Sequence, residues 1–133
     1  MALTRAADTR AAARVAWHLL SARDEAHAMQ LYGDVLGWGA VERQDLGAQG
    51  RHVTFSFDGR GPAVGSTSDL ANRPHVHAQW LYFFAVTDFD AAVARVRARD
   101  GLVLPPATTP DGHHVVACDD PQGAAFGIFA RGT

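Results

Sequence analysis

The sequence repeats one pattern of secondary structure, and this repeat limits the folds that the chain can adopt. An apolar run in residues 15–24, VAWHLLSARD, ends at an aspartate and is followed by apolar residues at helical spacing. A second apolar run in residues 80–88, WLYFFAVTD, ends in the same way. Asp24 and Asp88 each stand where a helix N-cap accepts backbone N–H groups. The pattern therefore predicts two helices, each preceded by a strand.

Short β-rich segments follow each predicted helix, separated by glycine and proline. Alternation of apolar and polar residues is clearest around Val53, Phe55 and Phe57. The predicted strands are 38–44, 51–57 and 62–66 after the first helix, and 101–104, 113–119 and 124–130 after the second. Before the last strand, Asp120-Pro121-Gln122-Gly123 predicts a tight turn.

These elements predict an α+β fold built from two βαβββ modules within one domain, residues 1–133. Module one covers about 13–66, a linker about 67–78, and module two about 79–130. One such module cannot cover the apolar face of its own sheet. We therefore expect the two modules to pair into one curved, cup-like mixed sheet with the helices outside.

Composition excludes several classes of protein. The chain has 133 residues, a net charge of −2 and one cysteine, Cys118, so neither a phosphate-binding surface nor an internal disulfide is expected. No stretch approaches the length of a membrane span, and the N-terminus lacks the apolar core of a signal peptide. We expect a cytoplasmic protein that binds neither nucleic acid nor membrane.

Four segments carry a family resemblance: AWH…D…LYGDVLGW, W…F.AV.DFDAAVARV, PPATTPDGH and DPQGAAFGIF. In their order and spacing they resemble the vicinal oxygen chelate superfamily, which includes glyoxalase I, bleomycin-resistance proteins and extradiol dioxygenases. The similarity covers roughly residues 13–129 and is nearest to glyoxalase-like proteins. The resemblance implies the paired-module fold, a small-molecule ligand and a homodimer.

The resemblance also assigns positions to the metal ligands of the metal-dependent members. Seven residues before each capping aspartate stand Trp17 and Leu81, and the glutamate positions of the last strands fall on Gly65 and Gly127. None of these side chains can bind a divalent cation. A slip of one residue would bring His18 and Tyr82 into register, still without a carboxylate. The resemblance therefore implies that the usual metal centre is absent, and we expect no metal and no cofactor.

Two interpretations of the glycines remain open. Gly65 and Gly127 either empty the cup so that a ligand approaches the backbone, or relieve crowding where a curved sheet bends. The candidate ligand-binding residues are those expected to face the cup: Trp17, Leu19, His52, Thr54, Ser56, Gly65, Leu81, Phe83 and Gly127. The alternatives are that the apolar members fill a closed core and that the polar members lie on a solvated face.

His18 and His52 are the candidate acid/base residues. Regular alternation would instead place His18 beneath the first helix as a hydrogen-bonded histidine, unless a bulge turns it inward. The pairs His75/His77 and His113/His114 have poor spacing for a metal site, and Cys118 reads as a small buried residue. Trp38 and Trp80 are expected to pack at module edges, where either could border a dimer groove.

Two classes of function remain. The first is a metal-independent binding protein that holds a hydrophobic or aromatic ligand, as bleomycin-resistance proteins do. The second is an enzyme of glyoxalase or dioxygenase type that acts on a small carbonyl or aromatic substrate with His18 or His52. An isomerase- or hydrolase-like activity is a third possibility that the sequence neither favours nor excludes.

Overall fold

A computed structural model describes residues 14–132. The described chain divides into two compact units, one of residues 17–81 and one of residues 14–16 and 82–132. Strand β1 (Val15–Ser21) and strand β5 (Gln79–Ala85) each contribute residues to both units. Neither helix in residues 14–132 has the length and apolar composition needed to cross a membrane.

The first unit has the element order of a βαβββ module. After β1 come helix α1 (Glu25–Leu36) and strands β2 (Gly39–Asp45), β3 (Arg51–Ser56) and β4 (Gly65–Ser68). Short 3-10 turns lie at Gly47–Gln49, between β2 and β3, and at Leu70–Asn72, after β4. The strands lie in the order β2–β3–β4–β1, with β1 parallel to β4 and the other pairs antiparallel.

Helix α1 begins and ends as the sequence predicts. The Asp24 carboxylate accepts a hydrogen bond from the His27 N–H at 3.0 Å, and Gly37 ends the helix in a left-handed conformation with φ of 77°. Met29 is the buried residue of α1, and it packs on Val53 and Phe55 of β3. This contact fixes which face of the strands lies under the helix.

An aromatic cluster extends this core. The Trp38 ring stacks on Phe55 with centroids 4.7 Å apart, and Tyr32 stacks on Trp38 at 5.2 Å. Trp80 donates from its indole Nε1 to the Tyr32 hydroxyl at 3.2 Å. Trp38 and Trp80 therefore belong to the helix-side core of the first unit.

The second unit repeats the order, with one additional short strand. Its elements after β5 are α2 (Phe89–Ala98), β6 (Leu102–Val103), β7 (Ala107–Thr108), β8 (His114–Asp119) and β9 (Ala125–Ala130). Strand β5 is parallel to β9, β8 is antiparallel to β9, and β6 and β7 both pair with β8. Val93 of α2 packs on Val116, Cys118 and Ile128. The α+β fold with a βαβββ module in each half is confirmed.

Two strand boundaries differ from the prediction. The strand predicted at 62–66 is Gly65–Ser68, so Thr67 and Ser68 lie in a strand rather than in the linker. Both residues are fully buried between β1 and β3, and this pairing outweighs their polar, loop-like character. The strand predicted at 101–104 is only Leu102–Val103, and Ala107–Thr108 forms a strand that the sequence did not predict. Pro105 and Pro106, which have no N–H to donate, separate the two.

The predicted turn at residues 120–123 is confirmed. Gly123 has φ of 91°, and its N–H donates to the Asp120 carbonyl at 2.9 Å. The Asp120 carboxylate also accepts from the backbone N–H groups of Gln122 and Ala124. Strand β9 begins two residues after this turn.

Candidate functional site

In the first unit, the strands present one face to α1 and the other away from it. Val53 and Phe55 pack beneath the helix, so His52, Thr54 and Ser56 face away from it. The register of β3 on β4 pairs Thr54 with Ser66 and His52 with Ser68. We call the face opposite α1 the polar face. Its members on β1, β3 and β4 within the first unit are Trp17, Leu19, Ser21, His52, Thr54, Ser56, Ser66 and Ser68.

A short hydrogen-bond chain crosses three strands of the polar face. The Trp17 indole Nε1 donates to the Ser66 hydroxyl at 3.4 Å, and the His52 Nδ1 lies 3.3 Å from the same hydroxyl oxygen. An indole N–H can only donate, so Ser66 accepts from Trp17 and keeps its own proton for another acceptor. Ser66 is therefore able to donate to His52 while it accepts from Trp17.

Burial divides the polar face into a deep layer and an accessible layer. Ser66 is only 3% exposed, and Thr54 and Ser68 are also buried. Thr54 donates to the Glu42 carbonyl at 3.2 Å, and Ser68 donates to the Leu20 carbonyl at 3.3 Å. Trp17 and His52 are half-buried, so solvent reaches both ends of this hydrogen-bond chain.

His18 lies on the face beneath α1. Its Nδ1 is 2.9 Å from the Val64 carbonyl oxygen, and its ring packs edge-on against Phe57 at 5.3 Å. Because a carbonyl only accepts, Nδ1 carries the proton in this contact. The prediction of a hydrogen-bonded histidine under the helix is confirmed, and the alternative in which a bulge turns His18 toward the polar face is wrong.

The contacts around Gly65 and Gly127 support the crowding interpretation. A Cβ on Gly65 would lie 2.7 Å from the Phe55 ring and 2.9 Å from the His18 Cβ. A Cβ on Gly127 would meet the ring of Phe83, its partner on β5. The space beside each glycine is filled by an aromatic side chain, so the interpretation that these glycines empty a cavity is wrong.

The two glycines also lie on opposite faces of their units. Gly65 faces α1 with Phe55, whereas Gly127 faces away from α2, because its neighbour Ile128 packs against that helix. The counterpart of Gly127 in the first unit is therefore Ser66, which sequence reasoning missed. The spacing from the cap gives no signal for Ser66, which follows Asp24 by 42 residues, whereas Gly127 follows Asp88 by 39. The strand pairing identifies it instead: Gly127 pairs with Phe83, five residues before its cap, and Ser66 pairs with Leu19, five residues before Asp24.

The other predicted residues are distributed between the two units. Leu19 shares the polar face with Trp17, and Leu81 is half-buried in the first unit. Phe83 is 7% exposed and lies with Gly127 in the second unit. The structure thus brings Trp17 and His52 together through Ser66. The ligand-binding roles of the nine predicted residues stay predictions.

The donor set of the polar face does not fit a divalent cation. Such ions are normally held by three or more His, Cys, Asp or Glu ligands, and within residues 14–132 no three of these side chains lie together in such a group. The polar face of β1, β3 and β4 offers one imidazole, His52, beside hydroxyl groups and an indole. Metal-independent function remains a prediction that this donor set favours.

The remaining candidate histidines and the cysteine have local structural roles or exposed positions. His75 and His77 are exposed in the segment before β5. His113 accepts from the Gly132 N–H at its Nδ1 at 3.1 Å, and His114 packs beside Phe89. Burial raises the pKa of the Cys118 thiol, which favours the protonated, unreactive form.

Two surface clefts lie within the first unit. One, of about 300 Å³, lies between the start of α1 and the β2–β3 pair and is lined by charged side chains that include Glu25, Arg43 and Arg51. The other, of about 470 Å³, lies beside α1 and is lined mostly by apolar side chains, including Leu20 and Leu31. Of the nine predicted ligand-binding residues, only His52 lines either cleft.

Comparison with known proteins gives the family. Residues 14–128 match the model of the Glyoxalase/Bleomycin resistance protein/Dioxygenase superfamily, which is most of the described chain. The chain belongs to this superfamily. The resemblance seen in the sequence motifs is therefore confirmed. The name of the superfamily includes both enzymes and resistance proteins.

The curated relatives are longer than this chain. Two proteins named "Putative glyoxylase CFP32", from Mycobacterium bovis and Mycobacterium tuberculosis, are each 27% identical to it over 114 residues. The match covers 85% of this chain but 44% of either relative. The chain thus spans less than half the length of these curated relatives.

Solved structures of the superfamily fold match over nearly the whole chain. Methylmalonyl-CoA epimerase from Mycobacterium tuberculosis has a TM-score of 0.64 at 15% identity, covering 90% of this chain and 88% of the epimerase. A Streptomyces coelicolor methylmalonyl-CoA epimerase variant in complex with 2-nitronate-propionyl-CoA has a TM-score of 0.67 at 16% identity, covering 91% and 99%. A hypothetical protein from Bacillus halodurans has a TM-score of 0.69 at 9% identity, covering 90% and 95%. At these identities the likeness shows the fold alone.

Proposed function

We propose that this superfamily member is a metal-independent small-molecule-binding protein whose polar face supplies the ligand contacts. The observation that carries the proposal is the hydrogen-bond chain from Trp17 through Ser66 to His52. It pairs a flat apolar surface, the indole, with a polar group that is fixed in direction, the imidazole. Small-molecule sites combine apolar area with a few oriented polar groups in this way.

The ligand that suits these residues is a planar or hydrophobic molecule with at least one hydrogen-bonding group. The indole of Trp17 gives apolar contact area, and His52 gives a hydrogen-bonding edge whose orientation Ser66 helps to fix. Leu19, Thr54 and Ser56 share the face, and we propose that they complete the contact surface. The absence of a carboxylate among these residues favours binding without a cation.

A thermal-shift screen tests the proposal, because a ligand that binds only the folded state raises the apparent melting temperature. Aromatic antibiotics, quinones, α-keto acids and hemithioacetals are suitable compounds. A compound present at 100 times its Kd should stabilise the protein by about 2.7 kcal/mol. His52→Ala and Ser66→Ala should each weaken its binding, whereas His77→Ala, an exposed histidine away from this face, should leave binding unchanged.

Metal dependence is tested on the same protein. Treatment with a chelator followed by Ni²⁺, Zn²⁺, Fe²⁺ or Mn²⁺ should leave the affinity of the ligand unchanged. Stoichiometric metal that survives purification without an affinity tag, or ligand binding that requires added metal, would overturn the proposal.

Catalysis is the second candidate, and His52 is the residue that favours it. The solved structures that share the fold include methylmalonyl-CoA epimerases, and the curated relatives are named as glyoxylases. His52 is a half-buried imidazole whose Nδ1 contacts a hydroxyl, an arrangement suited to proton transfer. His18 is not proposed for this role, because it lies on the face beneath α1 and not on the polar face with Trp17 and His52.

Solvent exchange distinguishes catalysis from binding. An enzyme of this class acting on a carbonyl or thioester compound would exchange the substrate's α-proton for deuterium in D₂O. Exchange that is lost in His52→Ala and kept in His77→Ala would favour the enzyme. Binding without exchange for any bound compound would favour the binding protein.

Assembly and location also belong to this proposal. We propose a homodimer in the cytoplasm whose partner is a small molecule rather than nucleic acid or membrane. Light scattering coupled to size-exclusion chromatography should give twice the chain mass of 14.2 kDa. A monomer at micromolar concentration would contradict the dimer without affecting the ligand proposal.

A further inference from the structure

We propose that the apolar cleft beside α1 is a second small-molecule site, separate from the polar face, that takes a small aromatic or aliphatic carboxylate. The cleft lies between the end of β1 and the first two turns of α1, and its volume is about 470 Å³. The cleft is open to solvent, so a ligand in it would be covered on one side only. Of the polar-face residues, only Ser21, at the end of β1, lines it.

The walls of the cleft are apolar and rigid. Leu20 and Ala22 line it from the end of β1, and each is 8% exposed. On the helix side are Leu31, which is 54% exposed, and Tyr32. The Tyr32 ring is held by stacking on Trp38 and by the hydrogen bond that its hydroxyl accepts from Trp80. An apolar ligand body would cover Leu31 without requiring the wall to reorganise.

The donors at the cleft favour an acid. Arg23 and His27 both line it, and no residue among 14–132 forms a hydrogen bond or ion pair with the guanidinium of Arg23 or the imidazole of His27. The backbone beneath Arg23 is fixed, because Asn72 donates to its carbonyl at 2.6 Å. Asp24 also lines the cleft and keeps its negative charge, but its carboxylate is held at the start of α1 by the His27 N–H, so an acid would bind on the Arg23 side.

These features together specify the ligand chemistry. A carboxylate would pair with the Arg23 guanidinium, which presents several donors in a fixed plane. The apolar remainder would lie along Leu31 and Tyr32.

The test uses 8-anilinonaphthalene-1-sulfonate, an aromatic anion whose fluorescence rises on apolar surfaces. The probe should bind the folded protein saturably and be displaced by phenylacetate. Leu31→Asp should weaken probe binding at least tenfold, because it places a negative charge on the apolar wall. Val35→Asp is the matched control: Val35 is 67% exposed on the same helix, one turn beyond Leu31 and outside the cleft. Val35→Asp should bind the probe with the affinity of the wild type.

A second pair of variants tests the charge. Arg23→Gln should weaken phenylacetate binding three- to tenfold and reduce its dependence on salt, whereas Arg73→Gln, an exposed arginine outside the cleft, should not. Equal loss in Leu31→Asp and Val35→Asp would overturn the site. Loss in Leu31→Asp with no effect of Arg23→Gln would overturn the carboxylate. Urea unfolding midpoints of each variant show that the protein remains folded.

This site and the polar face can fail independently. Ser66→Ala and His52→Ala should leave the binding of the probe and of phenylacetate unchanged, since neither side chain lines the cleft. Loss of phenylacetate binding in Ser66→Ala would overturn the separation of the two sites. If the screen finds no ligand for the polar face, Leu31→Asp and Arg23→Gln still test whether the cleft binds phenylacetate.

Discussion

Replacing Gly127 by alanine tests whether the Phe83 ring fills the space beside this glycine. A Cβ at position 127 would fall within 2.6 Å of three ring atoms of Phe83, a separation that real Cβ atoms do not show. Phe83 is 7% exposed, so its ring must move within packed surroundings. Overpacking of this kind costs about 1–3 kcal/mol. The lower backbone entropy of the unfolded alanine chain returns about 0.4–1 kcal/mol.

We therefore expect Gly127→Ala to lower the free energy of unfolding by about 1 kcal/mol, the difference between the midpoints of those two ranges. Urea unfolding followed by far-UV circular dichroism measures the loss as a lower midpoint at an unchanged slope. A double-mutant cycle with Phe83→Ala assigns the loss to the ring, because that substitution removes all three of the crowding atoms. In the Phe83→Ala background, Gly127→Ala should be neutral or stabilising.

Two results would refute the reasoning. If Gly127→Ala unfolds at the wild-type urea midpoint or above it, the ring does not fill the space, and the interpretation that the glycine leaves room for a ligand returns. If Gly127→Ala costs the same in both backgrounds, the cost comes from the strand backbone rather than from Phe83.

Three further predictions follow from single side chains. The backbone N–H of Arg51 and then its guanidinium lower the pKa of Asp69. The Asp69 carboxylate therefore stabilises the fold above about pH 4, and this contribution is lost as the pH falls further. The difference in free energy of unfolding between wild type and Asp69→Asn, measured with urea, should persist at pH 7 and disappear in acid. Thr67 is fully buried and its hydroxyl has no hydrogen-bond partner among residues 14–132, so Thr67→Val should raise the free energy of unfolding by about 1 kcal/mol, and a destabilised variant would reveal a hidden partner. Cys118 is 1% exposed and burial raises its thiol pKa, so a thiol reagent at pH 7 should label the native protein far more slowly than the urea-unfolded chain; equal rates would place the thiol at the surface.

The sequence predicts the elements well wherever local chemistry decides them. Asp24 and Asp88 cap their helices as expected, because an N-cap is a contact between residues three apart. The turn at residues 120–123 depends on a proline and a glycine that set the backbone directly. Alternation along β3 also places Phe55 and His52 on opposite faces as predicted.

The sequence predicts the site less well because the site depends on pairing between distant strands. Trp17 and His52 are 35 residues apart, and they meet only because β4 lies between β1 and β3. Ser66, the residue that joins them, lies in a polar segment, GSTS, that lacks the β-branched and aromatic character of a typical strand. Burial along α1 likewise depends on packing against distant strands: Met29 is buried on β3, whereas Leu31 is 54% exposed.

The correction at Gly65 follows from the two-residue period of a strand. Aligning the halves on their glycines treats Gly65 and Gly127 as equivalent, but a shift of one residue in register moves a side chain to the opposite face. The parallel pairs give the true relation: Gly127 lies beside Phe83, and the residue beside Leu19 is Ser66. In the second unit the position away from the helix is therefore closed by a phenylalanine ring over a glycine. In the first unit the same position holds a serine hydroxyl between an indole and an imidazole. The two units share an order of elements, yet the chemistry at the matched position differs, because the first unit has a serine hydroxyl where the second has a glycine.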